Sequence, residues 1–312
     1  MVDQPWSQRR CSRERIDATE GGDVPEGDTV WLACKRLDAA LSGDVLTRSD
    51  FRVPQLATAD LVGRRMLSTT PRGKHILMRV EGGLTLHSHL RMDGSWHLHR
   101  PGVRWTGGPE HQIRVILCTE GWDAVGYRLH DLALVETDRE DELVGHLGPD
   151  VLDPSGFDAD EAVRRITEYP DRAIGEALLD QRNLAGVGNL YKAETLFIER
   201  LSPWLLVDDV PDLPSVVATA ARLIDRNKDH WSQSTTGDPG RERQHYVFER
   251  GGKPCRRCGS PIATAMQGTP PYARITYWCL QCQPGPHPEP LPQKRPRAGG
   301  GAYDRRVRRS GA

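Results

Sequence analysis

Apolar residues at Val30, Cys34, Leu37 and Leu41 recur every three or four positions, which predicts a helix running to about Ser42 and closed by Gly43. Asp28 or Thr29 is placed to cap its first amides. The pattern then shortens. From Asp44 to Val135 the apolar runs are brief (Val45–Leu46, His75–Val80, Leu84–Leu90, Gln112–Cys118), and Gly- and Pro-containing turns such as Glu81-Gly82-Gly83 separate them. Many short strands behind a single helix predict a β-sandwich or flattened barrel. From Asp158 the helical period returns, with helices expected near Ala159–Glu168, Arg172–Asp180, Asn189–Glu199 and Leu213–Arg226. The segment from Gly259 to Trp278 reads strand, turn, strand. The fold class is therefore α+β.

The 312 residues are enough for two domains with separate cores. At 37% hydrophobic and 27% charged, with no apolar run long enough to span a bilayer, the chain reads as a soluble globular protein. Its Cys-x-x-Cys pairs without a secretory signal point to a reducing cytoplasm, and a monomer is expected. A formal net charge of −1 announces no polyanion partner, but the charge is segregated. Asp138 to Asp171 carries −8, Asp238 to Gln283 carries +4 and Pro284 to Ala312 carries +5. Such asymmetry suits a polyanion held at one end of the molecule. These shifts divide the chain into a polar leader 1–24, a strand-rich domain 25–137, an acidic linker 138–154, a helical domain 155–237, a cysteine-bearing segment 238–283 and a basic, disordered tail 284–312.

Four of the seven cysteines form two Cys-x-x-Cys pairs, Cys255/Cys258 and Cys279/Cys282. Four thiolates give Zn²⁺ a closed tetrahedral shell with no open position for a catalytic water, so one structural zinc ion is expected; a redox role or accidental pairing is the alternative. Cys34 and Cys118 sit in apolar patterns and read as inert core residues.

The pair Pro25-Glu26 stands just outside the first helix. A proline at a chain terminus is a secondary amine that can condense with an aldehyde-like carbon to give an iminium ion, and a neighbouring carboxyl can supply a proton. With Pro25-Glu26, the chain resembles the formamidopyrimidine-DNA glycosylase and endonuclease VIII family, in which a Pro-Glu pair follows the initiator methionine. Here Met1 to Val24 precede Pro25, so Val24, read as methionine at a valine-type start codon, is expected to be the true initiation site, with proteolytic maturation as the alternative.

Further stretches carry the same resemblance in the family's order. Arg72-Gly73-Lys74-His75 matches the family's Gly-Lys, which implies that Lys74 reaches DNA near the reactive centre. Within Ser88-His89-Leu90-Arg91-Met92-Asp93-Gly94 the resemblance implies that Met92, with Arg91 beside it, fills the gap left by an extruded nucleotide; a hairpin with a core methionine is the competing reading. Asp180-Gln181-Arg182-Asn183-Leu184-Ala185-Gly186-Val187-Gly188-Asn189 looks like the family's helix–two-turns–helix signature and implies backbone contacts from Arg182, Gly188 and Asn189. Arg274, five residues before Cys279, matches the finger-tip arginine that grips phosphates, on a loop that looks longer than usual. Arg128-Leu129-His130-Asp131-Leu132-Ala133 stands where the purine-specific type has Asp-Pro-Arg-Arg-Phe-Gly, which points towards endonuclease VIII.

The resemblance implies an N-terminal helix with a β-sandwich, a helix–two-turns–helix domain and a C-terminal zinc-finger hairpin. It implies a nucleoid-associated enzyme of base excision repair acting on damaged double-stranded DNA: a glycosylase and abasic-site lyase with Pro25, Glu26, Lys74 and Arg274 in the catalytic centre and no catalytic cofactor. An oxidised-purine glycosylase, a non-catalytic zinc-finger DNA-binding protein (if Pro25 stays internal) and an RNA-binding protein are the rivals.

Overall fold

The computed structural model describes residues 25–240 and 242–292. The expected leader with its Val24 start, Cys11 and the tail beyond Pro292 lie outside the described residues.

Helix α1 spans Gly27–Leu41 and buries Val30, Cys34, Leu37 and Leu41, the face set by the sequence period. It begins earlier than expected. Glu26, not Asp28 or Thr29, occupies the N-cap position, and no side chain caps the helix. Asp28 is drawn away to partners elsewhere, as described below.

Eight strands follow: β1 (Arg48–Phe51), β2 (Met66–Arg72), β3 (His75–Val80), β4 (Leu84–His89), β5 (Ser95–His99), β6 (Ile113–Cys118), β7 (Asp123–Tyr127) and β8 (Asp131–Glu136). They form two antiparallel four-stranded sheets, ordered β1-β6-β7-β5 and β2-β3-β4-β8. The Val45–Leu46 run forms only an isolated bridge from Val45 to Arg65. Between the sheets lie Ile76, Met78, Leu86, Trp96, Leu98, Val115 and Leu117, and α1 joins the same core through Val30, Leu37 and Leu41. Burial pushes the Cys34 thiol up and that of Cys118 to about 12, as expected of inert core cysteines.

The acidic stretch expected to be a linker is a packed seam. It holds a one-turn helix, α2 (Asp141–Val144), and Val144 and Leu147 pack against Leu77 of β3 and Ala185. Its acids have internal partners: Glu140 takes Arg79 at 2.6 and 2.8 Å and Thr85 at 2.6 Å. Asp150 accepts the amides of Gly73 and Leu152 at 2.6 and 3.0 Å. A run of like charge reads as solvated because its partners are distant in sequence.

Helices α3 (Ala159–Thr167), α4 (Ile174–Leu179), α5 (Asn189–Ile198) and α6 (Leu213–Asn227) enclose the second core, which includes Ile174, Leu178, Leu190, Phe197, Val217 and Ile224. Strands β9 (Ala263–Gln267) and β10 (Arg274–Trp278) form an antiparallel hairpin in register Arg274 to Gln267. Cys255 and Cys279 pack into the helical core. The first residues of the expected disordered tail are fixed instead. Leu291 donates its amide to Thr264 O at 2.6 Å, His287 lies 5.8 Å from the Trp278 ring, and Ser202 Oγ donates to Pro286 O.

Candidate active site

The site forms where the head of α1, the β2–β3 turn and the start of α5 converge. Gly186, at φ +100°, accepts the Gly27 amide at 2.9 Å and bends the chain into α5. The α5 N-terminus then presents free amides, and the Glu26 carboxylate takes them: Leu190 at 2.7 Å, Gly188 at 2.8 Å and Tyr191 at 3.4 Å. Gly188 must be glycine here. A Cβ on it would lie 2.4 Å from Glu26 Cδ and 2.7 Å from Lys74 Nζ. The missing side chain leaves room for the Glu26 carboxyl and the Lys74 amine to approach one point, directly after Pro25 in the chain.

Glu26 is completely buried. Desolvation outweighs the Lys74 charge and the amide donors, and raises its pKa to about 7. A carboxyl so tuned is a proton donor at neutral pH. Lys74 is lowered by the same burial, opposed by Glu26 and Asp28. Asp28, also buried and raised by desolvation, accepts the Tyr191 hydroxyl at 2.5 Å and the Gln233 amide at 2.9 Å. Beside Lys74 on the sheet, burial holds the His75 and His89 imidazoles neutral, with pKa values of about 3 and 4.

The structure brings Pro25, Glu26, Lys74 and Gly188 together. Asn189 opens α5 and donates its amide to Ile275 O of the finger at 2.9 Å. Arg274 is exposed at the tip of the hairpin, close enough for its charge to depress both Lys74 and Lys192. Two expected DNA contacts have intramolecular partners. Arg182 is 69% exposed and paired with Asp180 at 2.7 Å, while Arg91 is paired with Asp131. Met92 stands out at 62% exposure, which excludes the core-methionine reading.

Three buried groups escaped the sequence reading: Asp28 with its partners, Asp150 behind the Gly73-Lys74 turn, and Lys192. Lys192 Nζ donates to Thr276 Oγ1 at 2.6 Å and Gln267 Oε1 at 3.4 Å, tying α5 to the finger. Its signal was a charge in the stretch from Leu190 to Phe197, which carries a second buried charge, Glu194.

The sulfurs of Cys255, Cys258, Cys279 and Cys282 all lie within 4.8 Å of one another and form no disulfide. Two of the distances are 3.4 and 3.9 Å, around the ~3.8 Å edge of a tetrahedron with ~2.3 Å metal–sulfur bonds. The four residues fit a metal ion.

A family model for the formamidopyrimidine-DNA glycosylase N-terminal domain matches residues 24–148, and one for the H2TH domain of that glycosylase matches residues 147–212. Over 269 residues the chain is 54% identical to probable endonuclease 8 2 of Streptomyces coelicolor, covering 86% of this chain and 96% of the relative. The chain belongs to the formamidopyrimidine-DNA glycosylase and endonuclease VIII family. The DNA-(apurinic or apyrimidinic site) lyase Nei2 of Mycolicibacterium smegmatis is 40% identical over 260 residues, with 83% and 99% covered. Among solved structures, Lactococcus lactis Fpg (MutM) with N7-benzyl-Fapy-dG DNA superposes with a TM-score of 0.71 at 20% identity, covering 84% of this chain and 100% of that one. Its complex with abasic-site DNA gives 0.69 at 19%, with 83% and 100% covered. These neighbours establish the family's fold for this chain: helix and sandwich, H2TH domain and four-cysteine hairpin. Family membership makes the protein a DNA glycosylase and abasic-site lyase of DNA repair.

Proposed function

We propose that the protein excises oxidised pyrimidines from damaged duplex DNA and cuts the strand at the resulting site, with Pro25 as nucleophile. The observation that carries this reading is the Glu26 carboxyl, buried on the α5 amides with a pKa of about 7, adjacent to Pro25 and beside Lys74.

The reaction starts from a Pro25 amine, so it requires a chain that begins at Pro25. That is achieved by initiation at Val24 and loss of the initiating residue. The amine attacks C1′ of an extruded nucleotide and the base departs with a proton. Glu26 protonates the sugar ring oxygen, the ring opens, and an iminium joins Pro25 to C1′. The iminium draws electrons from the neighbouring C–H bond. Loss of that proton expels the 3′ phosphate (β), a second loss expels the 5′ phosphate (δ), and water hydrolyses the iminium to free the sugar fragment and the amine. Lys74, Arg274 and Asn189 hold backbone phosphates around the reacting sugar. A zinc ion on the four cysteines would cross-link the small hairpin that carries Arg274. The three-residue connection Arg128–His130 between β7 and β8, where the purine-specific type has Asp-Pro-Arg-Arg-Phe-Gly, supports a pyrimidine-type substrate.

Borohydride trapping on a duplex with one abasic site tests the reading. A protein made to begin at Pro25 should be captured covalently and the full 312-residue form should not. Pro25→Gly or Glu26→Gln should impair capture. DNA binding by both forms with trapping of neither would leave a DNA-binding protein without this chemistry.

A further inference from the structure

Two turns meet at the exposed Met92, which lies in the first of them. One joins β4 to β5 (residues 90–94) and the other joins β7 to β8 (128–130). Each is bent through a non-glycine residue in the left-handed region, Arg91 at φ +51° and Arg128 at φ +50°, a conformation uncommon outside glycine. Each is then held by the other. Arg91 Nε and Nη2 donate to the two oxygens of Asp131, at the start of β8, at 2.7 and 2.9 Å. In return, Arg128 Nε donates to the Asp93 carbonyl at 2.7 Å, and His130 Nε2 lies 3.1 Å from Asp93 Oδ1. Arg128 Nη1 is fixed in turn on Gln112 Oε1 at 2.6 Å, and the Arg91 amide donates to His89 Nδ1 at 3.0 Å. Met92, between Arg91 and Asp93, has neighbours tied on both sides while its own side chain is 62% exposed.

We infer that Asp131 is a positioning residue for extrusion of the damaged nucleotide, acting through the Arg91 fork to hold Met92 rigid for insertion into the base stack. The inference rests on the reading of Met92 as the wedge. A wedge must hold a gap open against restacking, and a loose turn would add its own ordering entropy to the cost of unstacking. The two-pronged guanidinium–carboxylate contact fixes direction as well as distance. It also gives Arg91 a task within the fold: its guanidinium anchors the turn.

The test is a double-mutant cycle on the Pro25-first protein, Asp131→Asn, Met92→Ala and both together, by single-turnover excision from a duplex with one oxidised pyrimidine. Asp131→Asn should slow excision about tenfold, the scale of a lost charge-assisted pair, with an unchanged melting temperature. It should slow cleavage of a preformed abasic site by less than about twofold, because no base then has to leave the stack. In the Met92→Ala background Asp131→Asn should have no further effect. Additive losses, or full-speed excision by Asp131→Asn while Met92→Ala is slow, would overturn the positioning role and leave the wedge standing. Full-speed excision by Met92→Ala would overturn the wedge and the inference with it.

Discussion

Lys192 Nζ on α5 donates to Thr276 Oγ1 on β10 at 2.6 Å, both side chains fully buried. The bond joins the helix whose first amides hold Glu26 to the strand whose first residue is Arg274. Glu26 and Arg274 are thereby set on one frame, through an ammonium that burial brings down to about 7.

That depression has a measurable sign. The unfolded chain keeps the Lys192 proton up to pH ~10.4, whereas the folded protein releases it near 7. Stability from this group is therefore lost as pH falls through 7 and gained as pH rises above it, by up to ~1.4 kcal/mol per pH unit. The melting temperature of the wild type, relative to Lys192→Met, should climb between pH 7 and 9. Parallel curves would mean that Lys192 stays charged inside the fold.

Glu26 runs the other way. Its carboxyl keeps a proton up to about pH 7 in the folded state and loses it near 4.5 in the unfolded chain, so its contribution is present below 4.5 and lost as pH rises through 7. Glu26→Gln should cost base excision at least ~100-fold as the proton donor disappears, yet raise the melting temperature at pH 8, where a buried charge has been removed. The wild-type excision rate should decline above pH ~7 as the acid form is titrated away. A rate that keeps rising to pH 9 would exclude Glu26 as the acid.

Gly188→Ala is the smallest change that should displace Glu26 and Lys74, since the new methyl would lie 2.5 Å from Glu26 Oε1 and 2.7 Å from Lys74 Nζ. Overpacking of this kind costs ~1–3 kcal/mol, so the variant should fold at reduced stability and lose most borohydride trapping. A trapping yield equal to wild type would show that the two groups need not touch the same point.

How much of this was legible in the sequence depended on the distance over which each pattern acts. The α1 face, the helices from Ala159 to Asn227 and the four-cysteine hairpin follow from local periodicity and spacing, and their bounds fell within a few residues of the structure. Pro25, Glu26, Lys74 and Asn189 were singled out through short motifs. What failed was every inference that required knowing a polar residue's distant partner. Asp28 looked like a helix cap but bonds Tyr191 and Gln233, more than 160 residues away. Glu140 and Asp150 looked like linker charge but close the seam between domains. Nothing in the sequence showed that Arg91 grips Asp131.

The segment after Gln283 separates two effects that the sequence merges. All seven Lys and Arg of the tail lie beyond Pro292, whereas the packing of Pro286, His287 and Leu291 lies before it. Deleting residues 293–312 should leave metal retention and melting unchanged and flatten the dependence of DNA affinity on salt, by ~0.9 of slope for each phosphate that the tail would have neutralised. Deleting residues 284–312 should do the same and also loosen the hairpin, because the backbone of β9 at Thr264 and the Trp278 ring lose their cover. The reading is metal release to a chelator, which should be faster only for the longer deletion. Equal release from both forms would mean that the hairpin is held by its metal and the helical core alone, with residues 284–292 a passive path to the tail.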